Sequence, residues 1–468
     1  MATSMNAIME KLKILADSAK YDVSCSSSGV GRSNSGAIGS ATAAGLCHSW
    51  SADGRCISLL KVLFTNKCEY NCAYCVNRRD NDFPRASFEP EELAKLTIEF
   101  YRRNYIEGLF LSSAVEISPD YTAERILKAI SILRYEYQFS GYIHAKIIPG
   151  VSPELLHEIG LVADRLSVNI EMPNAESLRT FAPQKKPKQI FTPMKQITNT
   201  LIERGSLVGP GTMFKGQRMN VPENFVGLKA VGDSGNLPQV YRKKRDGSAF
   251  APAGQTTQMI IGAGKETDAS ILTTSENLYR TFKMKRVYYS AYIPVVTSGL
   301  LPDAASAPPL EREHRIYQAD WLLRFYGFTA SDLFSSGEQN LDPAMDPKVS
   351  WAIRNLDRFT IEINRASYED LLKIPGIGAT SAKRIVRARK VSQVGFDELK
   401  KMGVVMKRAK YFLTCRGRYY GDVPFLPEKI RGAILGLENG LQMSMFDNNW
   451  KLLEQGAAME KLSESGVI

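Results

Sequence analysis

The sequence predicts an α/β protein, a partial barrel of six β/α units followed by a small, all-helical basic module. Two observations carry that prediction. Apolar strand-like runs alternate with amphipathic helical stretches from residue 57 to about 330. Charge, in contrast, is concentrated near the C-terminus: residues 364–420 hold 14 Lys and Arg against 4 Asp and Glu, a local net of +10 out of +11 for the whole chain. A composition of 44% hydrophobic and 23% charged residues is that of a globular protein, and 468 residues suffice for two or three cores.

The N-terminal stretch carries Ile8, Leu12, Leu15 and Ala19 at helical spacing between charges, an amphipathic helix rather than a secretory leader. A Ser/Gly/Ala-rich segment follows, and residues 1–56 form an N-terminal region. ISLLKVLF (57–64) is a nearly continuous apolar run, as expected of a strand buried on both faces. Pro90, Glu91 and Glu92 open a helix with Leu93, Leu96, Thr97 and Phe100 inward. YIEGLFLSS is the second strand, and its helix turns Ile126, Ile130 and Leu133 to the core. YIHAKIIP, a short helix near 152–159, and RLSVNIEM follow; then TQMIIGAG, a helix through about 267–282, RVYYSAYIPV and a helix over 310–326. Six such units imply a parallel sheet, too few for a closed eight-stranded barrel. The Gly/Pro-rich stretch 205–254 reads as an insertion that covers the barrel mouth or lacks fixed structure, and 421–468 as a tail. No run of about eighteen apolar residues occurs, which excludes a membrane-spanning helix and points to the cytoplasm.

Directly after the first strand comes FTNKCEYNCAYCVNR, a C-x-x-x-C-x-x-C spacing with Tyr74 before the third cysteine. Three thiolates in a short loop can hold three irons of a [4Fe–4S] cluster and leave the fourth iron open. A structural zinc site would call for a fourth Cys or His close by, and the loop offers none. This motif and its placement resemble the radical S-adenosylmethionine (SAM) superfamily. The resemblance implies that Cys68, Cys72 and Cys75 ligate the cluster and that the open iron chelates SAM. It further implies that one electron cleaves SAM to a 5′-deoxyadenosyl radical, with Tyr74 near the adenine. LFLSSAVE (109–116) stands where the superfamily has a glycine/glutamate motif meeting the SAM amino group; Ser112 and Ser113 replace the glycines and Glu116 follows. MIIGAGKE (259–266), with Gly262 and Gly264, resembles the fifth-strand glycine motif that packs against the adenosyl group, although a turn needing positive φ explains these glycines equally well. Asn169 and Glu171 end the fourth strand, where ribose contacts are often placed.

LLKIPGIGATSAKRIVRARK (371–390) has the form helix, tight hairpin, helix. Gly376 and Gly378 let the backbone turn and present amide hydrogens to a phosphate, with Lys383, Arg384 and Arg387 beside it. It resembles the helix-hairpin-helix motif of DNA repair and recombination proteins. ELKKMGVVMKRAKYFL looks like a degenerate second copy, with Gly403, Lys407, Arg408 and Lys410. Cys25, Cys47, Cys56 and Cys415 share no close spacing. They fit an auxiliary metal site (joined by His48), a hydrogen-atom donor in the case of Cys415, or plain core packing.

The ordered set of motifs from about 21 to 415 resembles radical SAM proteins assigned to DNA modification or repair that carry a helix-hairpin-helix tail. In bacteria these are associated with a uracil-DNA-glycosylase-like partner. That resemblance implies DNA as the target and a reductant such as flavodoxin or ferredoxin. A tRNA-modifying radical SAM enzyme and a non-catalytic DNA-binding iron–sulfur protein are the alternatives.

Overall fold

A computed structural model describes residues 2–19, 46–50, 56–204, 213–214, 217–218, 250–294, 298–303 and 305–436. After helix α1 (Ala2–Ala19) come strands β1 (Leu46–Trp50) and β2 (Cys56–Leu63). Next are α2 (Pro90–Arg102), β3 (Gly108–Ser112), α3 (Pro119–Ser131), β4 (Tyr142–Lys146), α4 (Pro153–Val162) and β5 (Arg165–Ser167). Two helices, α5 (Ala175–Phe181) and α6 (Pro187–Glu203), precede the short pair β6 (Met213–Phe214) and β7 (Gln217–Arg218). Then follow β8 (Gln255–Ile261), α7 (Asp268–Phe282), β9 (Arg286–Ala291) and α8 (Leu310–Phe325).

The main sheet has the order β1-β2-β3-β4-β5-β8-β9. The six strands from β2 to β9 run parallel, while β1 pairs antiparallel with β2. The expected half-barrel of six parallel strands is therefore present, with β1 added as an edge strand. Strand residues Leu60, Val62, Leu109, Leu111, Ile143 and Ala145 join the large core beneath the helices. On the opposite, concave face Leu59 and Phe110 pack with Tyr142.

Helix starts follow from local chemistry. Ser118 caps α3 by accepting from the Tyr121 N–H at 3.1 Å, Thr267 caps α7 through Ser270 N–H at 3.3 Å, and Pro90, Pro119 and Pro153 open their helices. Two helices have no counterpart in the sequence analysis: α5 is only seven residues long, and α6 has Pro193 in its interior. Much of the 205–254 insertion lies outside the described residues. Its last residues pack at the strand N-termini, away from the mouth: Phe250 is buried against Gly160, and Ala253 N–H donates to Asp164 O at 2.7 Å.

Beyond α8, α9 (Pro347–Arg354) leads to β10 (Ile361–Glu362), then α10 (Tyr368–Lys373), α11 (Ala379–Ala388), α12 (Phe396–Lys401) and α13 (Met406–Ala409). Strands β11 (Leu413–Cys415) and β12 (Arg418–Tyr419) join β10 in a three-stranded sheet, and α14 (Pro427–Leu435) follows. The C-terminal module is thus mostly helical rather than all-helical. The tail beyond residue 436 lies outside the described residues. Among the described residues no helix is long and apolar enough to cross a membrane.

Candidate radical site and nucleic-acid interface

The cysteine loop leaves the C-terminal end of β2 and is fastened from three sides. Glu69 N–H donates to Val115 O at 2.8 Å, which ties it to the segment after β3. Ala73 N–H donates to Phe181 O at 2.7 Å and Asn71 N–H to the Gln184 side chain at 3.4 Å, which ties it to the end of α5. The Arg85 guanidinium donates to the carbonyls of Asn66, Asn77, Arg78 and Asn81 at 2.6 to 2.9 Å, closing the two ends of the loop on each other. The sequence gives no sign of this role for Arg85, since all four acceptors are backbone atoms.

Cys72 is buried and Cys68 and Cys75 are half-buried, all as free thiols. Burial pushes the Cys75 thiol up to about 12, with the neighbouring Cys72 and Cys68 adding to it, and burial likewise raises Cys72. Thiols in such a setting give up their protons only when a metal takes the charge. Among the described residues no three Cys, His, Asp or Glu side chains are arranged to hold a single metal ion. Three neighbouring thiols on a braced loop are the donor set that a [4Fe–4S] cluster takes while leaving one iron open.

Beside the thiols lies a charge network that the sequence reading only half identifies. Lys185, in the turn between α5 and α6, donates to Glu171 Oε1 at 2.8 Å and to the Tyr74 hydroxyl at 3.3 Å. Its ammonium stands 5.9 Å from the Tyr74 ring centroid, and both partners of the ion pair are largely buried. Burial alone would lower the Lys185 pKa, but the Glu171, Tyr74 and Cys72 charges hold it well above its ordinary value. Glu171 has φ +61°, so the strand end bends there and delivers the carboxylate to Lys185. Glu171 is therefore committed to an ion pair. Asn169, two residues earlier, donates to Gln258 Oε1 at 3.4 Å and keeps its Oδ1 without a partner among the described residues.

Ser112 is buried in β3, and the Ser113 hydroxyl has no partner among the described residues. Glu116 accepts from Ser87 at 3.0 Å and lies 3.6 Å from the Lys67 ammonium. Gly262 has φ +82°, and a Cβ there would lie 2.6 Å from Pro309. A Cβ at Gly264 would lie 2.8 Å from Phe181. Both backbone N–H groups donate to the Glu266 carboxylate, at 2.5 and 3.1 Å. Turn geometry and close packing thus account for these two glycines without a ligand.

In the module, Gly376 has φ +81°, and a Cβ there would meet Val405 O at 2.5 Å. Gly378 opens α11, and Val405 N–H donates to Gly376 O at 2.9 Å, joining the first hairpin to the turn between α12 and α13. Gly403, in that turn, has φ +85° and its carbonyl accepts from Ser381 at 2.9 Å. Lys383, Arg384 and Arg387 are exposed; Arg384 also reaches Met402 O at 3.2 Å. Of the second set, Arg408 pairs with Asp346 at 2.5 Å and Lys410 with Asp422 at 2.7 Å, while Lys407 is exposed. From beneath, Lys348 of α9 is buried and donates to Ile377 O at 2.7 Å, and its ammonium stands over the Tyr326 ring at 4.7 Å. Cys415 is buried in β11, its thiol donating to Val394 O at 3.1 Å, within the module and not at the strand ends that bear the triad. Cys25 and the side chains of Cys47, His48 and Cys56 lie outside the described residues.

The family described as the Radical SAM superfamily matches residues 62–218, and the helix-hairpin-helix motif matches residues 358–417. Residues 62–218 therefore match a radical SAM domain, a family that implies a [4Fe–4S] cluster and SAM. A helix-hairpin-helix motif is joined to it. No curated protein matches the chain. Among solved structures it is distantly similar to HydG, a maturase of the [FeFe]-hydrogenase, at 13% identity and a TM-score of 0.36 over 56% of this chain and 48% of that one. HydG from Carboxydothermus hydrogenoformans gives 14% and 0.36 over 56% and 50%. The cobalamin- and [4Fe–4S]-bound radical SAM methyltransferase TsrM from Kitasatospora setae gives 11% and 0.33 over 70% and 60%. The chain spans about half the length of the HydG chains it matches.

Proposed function

We propose that this chain is a radical SAM enzyme acting on nucleic acid, with DNA as the target and repair or modification as the role. The observation that carries the reading is the pairing, in one chain, of a braced three-cysteine loop with an exposed basic hairpin. Cys68, Cys72 and Cys75 would hold the cluster. When bound, cluster and SAM supply one-electron reductive cleavage of the sulfonium and, with it, hydrogen-atom abstraction. Ser113 and Glu116 on one side, and Asn169 on the other, are the polar groups offered to SAM. Tyr74 is held in place by Lys185, and Gly262 and Gly264 would flank the adenosyl group. The electron would come from a small reductant such as flavodoxin or ferredoxin in the cytoplasm. A uracil-DNA-glycosylase-like protein is the partner class suggested by the resemblance.

The hairpin and the cysteine loop stand apart. Pro309, before α8, packs at Gly262 near the mouth, whereas Tyr326, after α8, lies against Gly378. The 16 residues of α8 span about 24 Å at 1.5 Å each. A strand gripped at Gly376–Gly378 therefore meets the radical site several nucleotides away, as suits a backbone grip that does not read sequence.

The test compares duplex DNA with tRNA as stimulants of 5′-deoxyadenosine release by the reconstituted protein. DNA is expected to stimulate, and a Lys383/Arg384/Arg387→Ala variant to bind it more weakly with a flatter salt dependence. Stimulation by tRNA alone would replace DNA with RNA in this account; unchanged binding by the variant would remove the hairpin from it.

A further inference from the structure

The concave face of the half-barrel is positively charged and contains polar atoms with nothing described to bond to. Strand register sets Lys61 of β2, Phe110 of β3, His144 of β4 and Arg165 of β5 side by side in one row. This row lies on the face turned away from the helices, where Phe110 packs edge-on against His144 at 4.6 Å. The next row toward the cysteine loop places Lys146 beside Ser167 and Thr256. Beyond it, Asn169 and Lys146 both approach Gln258 Oε1 at 3.4 Å.

Three cations from three strands thus lie on this face, where Lys146 donates to Gln258, Arg165 donates to Ala253 O at 3.4 Å, and Glu171 is paired with Lys185. Lys61 is 4% exposed and His144 3%. His144 Nε2, Ser167 Oγ, Asn169 Oδ1 and Thr256 Oγ1 are buried without a hydrogen-bond partner among the described residues. The field of this face registers on His144, held well below its ordinary pKa by burial first and then by the Arg165 and Lys146 charges. A desolvated cation, Lys61, and orphaned polar atoms in one place are expensive unless a ligand completes them.

We propose that this face, below the cysteine loop, seats a phosphate-bearing nucleotide unit of the substrate. Lys146 holds its phosphate, Lys61 and Arg165 add charge from the row beneath, and Ser167, Thr256 and His144 meet its polar edges. The inference rests on the nucleic-acid reading and extends it: the hairpin grips the strand by its backbone, and one nucleotide leaves the stack to enter the barrel.

The test is calorimetric titration of the full-length protein with the four deoxynucleoside monophosphates, the matching nucleosides and inorganic phosphate. Nucleotides are expected to bind roughly tenfold or more tighter than nucleosides, and inorganic phosphate to compete. Lys146→Gln should lose roughly tenfold in nucleotide affinity and Lys146→Arg should retain it. Lys146 is partly exposed, so its variants test the site even if Lys61 or Arg165 variants fail to fold. Equal binding of nucleotide and nucleoside, or undiminished nucleotide affinity in Lys146→Gln, would overturn the proposal. If mononucleotide binding fails while DNA still stimulates SAM cleavage, the barrel site falls and the nucleic-acid reading stands. If mononucleotides bind as expected while DNA neither binds nor stimulates, the reverse holds.

Discussion

At the scale of single residues, the candidate site depends on partners that are distant in sequence. Lys185 lies 14 residues from Glu171 and 111 from Tyr74, and meets both. Replacing Lys185 with Met leaves the Glu171 carboxylate buried and unpaired, a change that typically costs about 3–5 kcal/mol. The expected result is that Lys185→Met unfolds at lower urea than the native chain, and that adding Glu171→Gln restores part of the loss. Equal stability of the native chain and Lys185→Met would show that the pair contributes nothing net. The triad and the hairpin glycines were legible in the sequence because their chemistry is local: a spacing of thiols, a turn needing positive φ. Lys185 and Arg85 were not, because each acts on groups that only the folded chain brings near. Glu171 was singled out as a ribose contact, yet its carboxylate faces an ammonium that spacing could not reveal.

At the scale of elements, the six parallel strands and the helices between them followed from apolar runs and helical periodicity. β1 did not, being a five-residue edge strand beside a Ser/Gly-rich segment; α5 is only seven residues long, and α6 carries Pro193 in its interior. The module's small sheet was missed because its strands are two or three residues long, too short for a period to show. What fastens the module to the body is also invisible in sequence: Lys348 of α9 supports the hairpin through Ile377 O, and Lys373 of α10 stands 3.4 Å from the Phe328 ring centroid. Burial, opposed by Asp346 and joined by the Lys373 and Arg408 charges, lowers the Lys348 pKa to about 7. The unfolded chain, with its ordinary lysine pKa, binds more protons than the folded one above pH 7. Stability should therefore rise with pH from about 7 upward, by at most about 1.4 kcal/mol per pH unit from this group. Chemical unfolding of the native chain and Lys348→Met at pH 7, 8 and 9 measures it. The native chain should gain more than the variant across the series, and parallel curves would mean that Lys348 stays charged in its buried place.

At the scale of the whole molecule, a charge asymmetry visible in the sequence acquires a spatial meaning. The basic hairpin sits by the far end of α8, the cysteine loop by the near end, and a cationic concave face lies under the loop. On the proposed reading, one strand of nucleic acid would engage all three by running along the barrel flank, gripped at one place and acted on at another. The whole arrangement depends on the three thiols holding a cluster that reduces SAM. Its most direct test is anaerobic reconstitution with iron and sulfide, followed by reduction in the presence of SAM and measurement of 5′-deoxyadenosine. The native protein should turn brown and release deoxyadenosine, and Cys68→Ala, Cys72→Ala and Cys75→Ala should each abolish that release. A native protein that takes up iron yet forms no deoxyadenosine, with or without nucleic acid, would contradict the enzyme account.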